Sequence, residues 1–303
     1  MKRKVALIVL VSLCMTSLAQ RDALNKTFDG WPRIGQLQND SVRIGVSLCG
    51  GSAKGYAHLG FLQAMDDAGI KIDCISGTSM GAIVGMFYAA GYSPMEIIEI
   101  IKQERMLKKR RIFRLNMKRD GGLADMSRMR AMMLKYVPHD SFDSLKIPFY
   151  CCVTDVTNAR PVYVSTGGRL CEWVTASASI PRVFAPMLID SVYYVDGYIL
   201  NNLPVEPLVE AGCNVRIGVF FVGDKKKKTL DNPKDVAAKA FALNSNLCTY
   251  DHLHLCTHKV GINVHGLKKL DFDKIDEFYL YGYQAGIEFL QKLLKQENEN
   301  GKQ

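Results

Sequence analysis

Residues 75–85, ISGTSMGAIVG, place Ser79 between two glycines, behind a short apolar run and ahead of a long one. Gly77 to Gly81 fits the G-x-S-x-G pattern of a nucleophile elbow, in which a strand turns sharply into a helix and exposes the serine. The run from Met80 to Ala90 is apolar on every side, as expected of a helix buried in the core. The pattern is short, so its interpretation depends on the sequence around it.

A glycine-rich loop precedes this turn by one strand. Residues 42–48 predict a buried strand, and CGGSAKG at 49–55 leads from it into a helix predicted over 54–68. Backbone N–H groups in such a loop, at a helix N-terminus, suit a negative charge. A dinucleotide site needs glycine where Ser52 stands, and a P-loop needs lysine where Tyr56 follows Gly55, so both kinds of phosphate site are excluded.

Strands and helices alternate along the rest of the chain, which has 303 residues, 48% of them hydrophobic. Further strands are predicted at 72–75, 147–153, 161–164, 188–195, 214–222 and 259–264, and further helices at 80–90, 93–105, 125–136, 169–178, 205–211, 235–250 and 272–296. This order indicates a single α/β domain with a mostly parallel sheet. Strand-to-helix turns of parallel strands lie at one edge, so the glycine loop is expected near Ser79, where it supplies oxyanion donors for acyl transfer.

The base that activates the serine has several candidates. An α/β-hydrolase would supply a downstream histidine, but that fold places several strands before its elbow, and only one is evident here. The first three of the candidates His252, His254, His258 and His265 could also be metal ligands. On a predicted helix, positions two apart point to different faces, so no metal site is predicted. His58 is predicted to pack in the first helix, and His139 has no partner motif.

An acidic candidate for the base lies in SVYYVDGYILNNLPV, residues 191–205. Asp196 ends a β-rich run there, and Gly197 permits a tight turn directly after it. A carboxylate pinned in this way is well placed to face an active site, although aspartates that merely cap turns are common.

Four stretches, in this order, resemble the patatin-like phospholipase family. They are the first strand with SLCGGSAKGYAHLGFLQAM, the elbow GTSMG, TASASIPRVFAP at 175–186, and VDGYILNNLPV, and together they extend from about Arg43 to Phe221. The resemblance implies a three-layer α/β fold with a mostly parallel central sheet flanked by helices. It also implies a lipid acyl hydrolase with a serine–aspartate dyad and an acyl-enzyme, and no catalytic histidine, metal or cofactor is expected.

Carried over residue by residue, the resemblance makes Ser79 the nucleophile and Asp196 the base. The oxyanion loop is then Gly50, Gly51 and Ser52, and the residues that support the motifs are Lys54, Gly55, Gly77, Gly81 and Gly197. Two positions depart from the family pattern: Ser52 replaces the third loop glycine, and Tyr198 stands where the family prefers glycine or alanine. These departures leave open a catalytically impaired lipid-binding protein, and a Ser-Asp-His esterase is the other alternative.

The chain is expected to be exported, to the periplasm or the medium. Residues 1–19 combine a basic start, an apolar stretch and small residues before Gln20, as in a cleaved signal peptide. Residues 20–41 are predicted as an irregular lead-in, 42–296 as the acyl hydrolase domain and 297–303 as a frayed tail. A retained N-terminal anchor is the alternative for the first segment. The eight cysteines of the mature chain are expected to be buried thiols.

The net charge of +9 is concentrated in a few segments. Residues 102–119 hold nine basic side chains against the single acid Glu104, and Lys225–Lys228 form a second run. Such runs are commonly solvated surface, and a functional alternative is an anionic membrane bound through residues 108–119. The expected partner is a lipid substrate. Nucleic acid is not expected, because the chain is expected to be exported and has no aromatic-interleaved basic motif.

Overall fold

The computed structural model describes residues 41–106, 114–115, 124–222 and 232–300. Its strands are β1 (Ile44–Leu48), β2 (Cys74–Thr78), β3 (Arg114–Leu115), β4 (Ala124–Asp125), β5 (Phe149–Asp155), β6 (Arg160–Val164), β7 (Met187–Ile189), β8 (Val192–Asp196), β9 (Val215–Phe221) and β10 (His258–Ile262). Its helices are α1 (Ala57–Asp67), α2 (Met80–Ala89), α3 (Pro94–Gln103), α4 (Ser127–Tyr136), α5 (Leu170–Ser177), α6 (Glu206–Glu210), α7 (Pro233–Tyr250) and α8 (Ile275–Asn300).

Eight of the described strands form one sheet in the order β10-β9-β1-β2-β5-β8-β7, with β6 also paired to β5. The strands from β10 to β5 are parallel, whereas β6, β7 and β8 join by antiparallel pairing. The prediction of a mostly parallel central sheet is therefore confirmed. β3 and β4 form a separate antiparallel pair, which the sequence did not predict.

Helices cover both faces of the sheet and give the three-layer arrangement. Along β1, Ile44, Val46 and Leu48 belong to the large core shared with α1 and α2. Gly45 faces the opposite layer, where Leu208 of α6 and Cys213 lie directly against it. A strand buried on both faces is continuously apolar or small, which explains the sequence IGVSL.

Most predicted elements differ from the observed ones by a few residues at their ends, and three differences bear on the fold. The run at 188–195 is a hairpin of two strands, because Asp190 and Ser191 both have positive φ, 50° and 66°, as a two-residue turn requires. β2 begins at Cys74 and includes Gly77 and Thr78, which were predicted to turn. The last helix continues to Asn300 rather than ending at 296.

The cysteines of the described residues are all free thiols, and only Cys248 is partly exposed. This agrees with the expectation of buried thiols. None of the helices within the described residues combines the length and the apolar character needed to cross a bilayer.

Candidate active site

The pairing of β5 brings the ends of two strands together. Thr78, the last residue of β2, pairs with Cys152, and Asp196, the last residue of β8, pairs with Val153. β6 occupies the opposite edge of β5 at these residues, so β2 and β8 share one edge and approach each other end to end. Ser79 follows β2 directly. The sheet register therefore places the serine and the aspartate at adjacent positions.

The turn at Ser79 has the backbone of a nucleophile elbow. Its φ of 57° and ψ of −122° are rare for a residue with a side chain, and α2 begins at the next residue. The Ser79 N–H donates to Ser177 Oγ at 2.9 Å, and Ser177 Oγ–H donates to the Cys152 carbonyl at 2.6 Å. A strained turn persists when its surroundings over-determine it, and these buried bonds provide that constraint.

Ser79 and Asp196 form a direct, buried pair. Ser79 Oγ–H donates to Asp196 Oδ2 at 2.6 Å, and the Tyr198 N–H donates to the other carboxyl oxygen at 3.0 Å. Asp196 is completely buried and Ser79 is 6% exposed. Burial raises the pKa of Asp196 to about 7, although the bonds from Ser79 and Tyr198 act to lower it. A carboxylate with this pKa is matched to a general base at neutral pH.

The glycine loop reaches Ser79 as predicted, but its N–H groups are not all free. A Cβ built on Gly50 would lie 3.0 Å from Ser79 Cβ, so the loop contacts Ser79 there. The Gly50 N–H is already bonded to Asn202, to its Oδ1 at 3.1 Å and its carbonyl at 3.3 Å. The Gly50 N–H is therefore engaged in this structure, and its part in binding an oxyanion stays a prediction.

The next two N–H groups of the loop remain available. Those of Gly51 and Ser52 bond no acceptor among the described residues, whereas the Ala53 N–H donates to the Lys269 carbonyl and the Lys54 N–H to that of Gly51. Ser52 has a φ of 52°, a conformation that favours glycine. Of the three loop residues predicted to bind an oxyanion, Gly51 and Ser52 thus have N–H groups free to donate.

The remaining predicted glycines serve close packing. A Cβ on Gly77 would lie 2.5 Å from the Gly81 carbonyl oxygen, and one on Gly197 would lie 2.5 Å from that of Cys152. A Cβ on Gly81 would overlap the Leu48 carbonyl oxygen, and one on Gly55 would overlap the Met80 side chain. Lys54 lies, partly buried, in the 3₁₀ turn that carries the loop into α1.

The histidines are engaged away from the dyad. His58 is buried with Nε2 2.8 Å from the Cys49 carbonyl, which confirms its packing role, and burial lowers its pKa to about 4. His252 pairs with Glu206 at 2.5 Å, His254 contacts the Asp251 carbonyl and His258 contacts the Thr257 hydroxyl. His254 lies in a 3₁₀ turn and His258 in β10, so the helix assumed for this cluster was wrong.

Two supporting residues were not identified from the sequence. Asn202 holds the glycine loop, and its Nδ2 donates to Thr249 Oγ1 at 2.8 Å. Ser177 holds the elbow from α5. Both lie in stretches that carry the family resemblance, NNLP and TASAS, and that resemblance was the available signal. Their roles depend on contacts 98 to 152 residues apart in the chain.

Serine nucleophiles activated by a single carboxylate define a class of acyl hydrolases, and the pair described above has that form. The chain belongs to the patatin-like phospholipase family, whose sequence model matches residues 46–209. An uncharacterized NTE family protein of Mycobacterium tuberculosis is 31% identical over 206 residues, which are 66% of this chain and 55% of that protein. The lysophospholipase nte1 of Neurospora crassa is 27% identical over 285 residues, 84% of this chain and 18% of that protein.

The chain thus spans about half the length of the mycobacterial relative and a small part of the fungal one. Among solved structures, VipD from Legionella pneumophila aligns with 83% of this chain and 67% of its own, with a TM-score of 0.48 and 14% identity.

Proposed function

We propose that the protein is a lipid acyl hydrolase that cleaves the carboxylic esters of phospholipids or lysophospholipids. Membership of the patatin-like phospholipase family and similarity to lysophospholipases support the substrate class. The observation that carries the proposal is the 2.6 Å hydrogen bond from Ser79 Oγ to Asp196 Oδ2 inside a buried site.

The catalytic cycle uses the two side chains and the loop. Asp196 takes the proton of Ser79 Oγ as that oxygen bonds to the ester carbonyl carbon. The Gly51 and Ser52 N–H groups donate to the oxyanion of the tetrahedral intermediate. Asp196 returns the proton to the departing alcohol oxygen, which leaves the acyl group on Ser79. A water molecule then attacks the acyl-enzyme while Asp196 takes its proton, and the fatty acid is released as that proton returns to Ser79.

Labelling with a fluorophosphonate probe tests the nucleophile. The probe phosphonylates an activated serine and releases fluoride, so we expect one label per chain on Ser79 by peptide mass spectrometry. Ser79→Ala should abolish the label. An unlabelled chain that is folded by circular dichroism would instead favour the alternative of a catalytically impaired lipid-binding protein.

A histidine-dependent esterase is less well supported, because the candidate histidines His252, His254, His258 and His265 contact other groups. His252 is the informative position, since its partner Glu206 also accepts a bond from Asn201 at 2.9 Å. The His252–Glu206 pair therefore supports the loop that follows Asp196 and not Ser79.

Export and membrane association are also part of the proposal, and both rest on sequence patterns. Residues 1–19 lie outside the described residues, as do residues 108–119 apart from the backbone of β3. The intact mass of the chain recovered from an exporting host would identify cleavage after residue 19. Replacing Lys108, Lys109, Arg110 and Arg111 by Gln should weaken binding to anionic vesicles more at low salt than at high salt.

A further inference from the structure

The helix α7 turns an apolar face to solvent. Its exposed large apolar side chains recur at spacings of seven, four and three residues, which is one side of a helix, and they are Val236, Leu243, Leu247 and Tyr250. Leu247 is 60% exposed and Leu243 is 49% exposed. A surface helix normally directs such a stripe into the core. We call these four residues the α7 stripe.

One positive charge lies beside the α7 stripe. The other exposed side chains described on α7 are Pro233, Lys239, Ala240 and Asn246, so Lys239 is the charge on this face. An apolar stripe with a lysine beside it is the pattern of a helix that lies in the headgroup region of an anionic membrane.

The C-terminal end of α7 is attached to the active site. Thr249 accepts the 2.8 Å bond from Asn202, the residue whose side chain also holds the Gly50 N–H. The Cys248 thiol donates to the Ile199 carbonyl at 3.5 Å, in the turn that directly follows Asp196. The α7 stripe therefore flanks the edge of the sheet at which the dyad lies.

A second exposed apolar group lies at the same edge, on the β7–β8 hairpin. Val156 follows the last residue of β5 and donates its N–H to the Tyr193 carbonyl at 3.0 Å, and Tyr193 pairs across the hairpin with Leu188. Their exposed fractions are 52%, 51% and 57%. We call Val156, Leu188 and Tyr193 the hairpin patch. Because β5 is parallel to β2, the hairpin patch lies at the carboxyl edge of the sheet, where β2 ends before Ser79.

We propose that the α7 stripe and the hairpin patch dock the protein on a bilayer that contains anionic lipid, with the Ser79 edge toward the membrane. The inference rests on the proposed function, because a lipid ester reaches Ser79 from a bilayer. The α7 stripe and the hairpin patch lie on separate elements. Both lie at the carboxyl edge of the sheet, where a lipid must reach Ser79. The positive charge of Lys239 beside the stripe complements an anionic headgroup, which favours a lipid surface over an apolar protein partner.

The test is binding of the Ser79→Ala chain to vesicles of equal parts phosphatidylcholine and phosphatidylglycerol, measured by co-sedimentation. Adding Leu243→Gln and Leu247→Gln should lower the partition coefficient at least ~10-fold, because two leucine side chains no longer enter the membrane. The matched control is Met95→Gln with Val209→Gln, two side chains that are 46% and 43% exposed on α3 and α6. The control should stay within about twofold of the parent.

Activity on a water-soluble short-chain ester separates this proposal from the proposed function. With Ser79 restored, the Leu243→Gln/Leu247→Gln variant should hydrolyse that ester at the parental rate, which also shows that it is folded. Unchanged vesicle binding, or an equal loss in the control, would overturn the docking surface whatever the ester assay gives. So would a parent that is dimeric by light scattering and becomes monomeric in the variant without losing vesicle binding. If neither the parent nor the Leu243→Gln/Leu247→Gln variant hydrolyses the ester, that result would count against the proposed function alone.

Discussion

The substitution Asp196→Asn separates what the carboxylate does for catalysis from what it costs the fold. Asparagine has nearly the same shape, and its amide oxygen can still accept the Tyr198 N–H that bonds Asp196 Oδ1 at 3.0 Å. The amide cannot accept a proton from Ser79 at neutral pH. We therefore expect ester hydrolysis to fall by at least ~100-fold, the usual contribution of a positioned general base.

The pH profile of the parent enzyme follows from the same group. Since burial raises the pKa of Asp196 to about 7, the carboxylate that accepts the proton is half formed near that pH. The value of kcat/KM should rise through neutrality and fall roughly tenfold for each pH unit below it. The residual activity of Asp196→Asn should lack this limb.

The free energy of unfolding of the parent should fall as the pH rises, whereas its activity rises. Asp196 is protonated in the folded state up to a pH of about 7, whereas in the unfolded chain it ionises near 3.8. The native chain therefore holds an extra proton between these values, so its stability is greatest below the unfolded pKa and falls as the pH rises toward 7. About three pKa units correspond to roughly 4 kcal/mol, which is lost in full above pH 7. Asp196→Asn does not incur this loss.

Urea denaturation at pH 5 and pH 8, followed by circular dichroism, measures this effect. Asp196→Asn should exceed the parent in free energy of unfolding at pH 8 by up to about 4 kcal/mol, and the difference should shrink at pH 5. A matched control is Asp190→Asn, which alters an exposed carboxylate in the β7–β8 turn. If Asp196→Asn keeps more than about a tenth of the parental activity, Asp196 is not the base.

Three further predictions concern the surroundings of the dyad. Ser52→Gly should keep or slightly raise ester turnover and should not lower the Tm, because glycine tolerates the positive φ at this position. Complete loss of activity in a folded variant would show that the oxyanion loop has been assigned wrongly. Asn202→Ala leaves the buried Gly50 N–H without its side-chain acceptor, so kcat should fall about 10- to 100-fold with a smaller change in KM; equal effects on both would indicate only general damage. His252→Ala should retain activity within about fivefold, because His252 bonds Glu206 and not the dyad, and an inactive folded variant would revive a histidine base.

The sequence predicted the layers of the fold well because burial is visible in it. The apolar runs of β1 and α2 and the glycine turns between them locate the core and the carboxyl edge. The hairpin at 187–196 was missed because its turn is Asp190-Ser191 rather than the usual Asn-Gly, and apolar residues continue on both sides. The β3–β4 pair was missed because each strand has only two residues.

The dyad itself was predicted by its motifs, but the oxyanion donors were not fully determined. A glycine loop shows where backbone N–H groups can converge and does not show which of them already have acceptors. The acceptor of the Gly50 N–H comes from Asn202, 152 residues later, and only the fold brings them together. The pKa of Asp196 also depends on complete burial, which a run such as VYYVDG does not by itself predict.

The distance between Ser79 and Asp196 is set by the sheet rather than by the turns in which the two residues lie. Gly81 packs on the carbonyl of Leu48 at the end of β1, and Gly197 packs on that of Cys152 in β5. Each contact leaves no space for a Cβ, so the two turns rest on the backbones of β1 and β5, which pair in parallel with the two edges of β2. A strained serine and a desolvated aspartate each cost stability. The fully buried strands β1 and β2 contribute stability that offsets this cost.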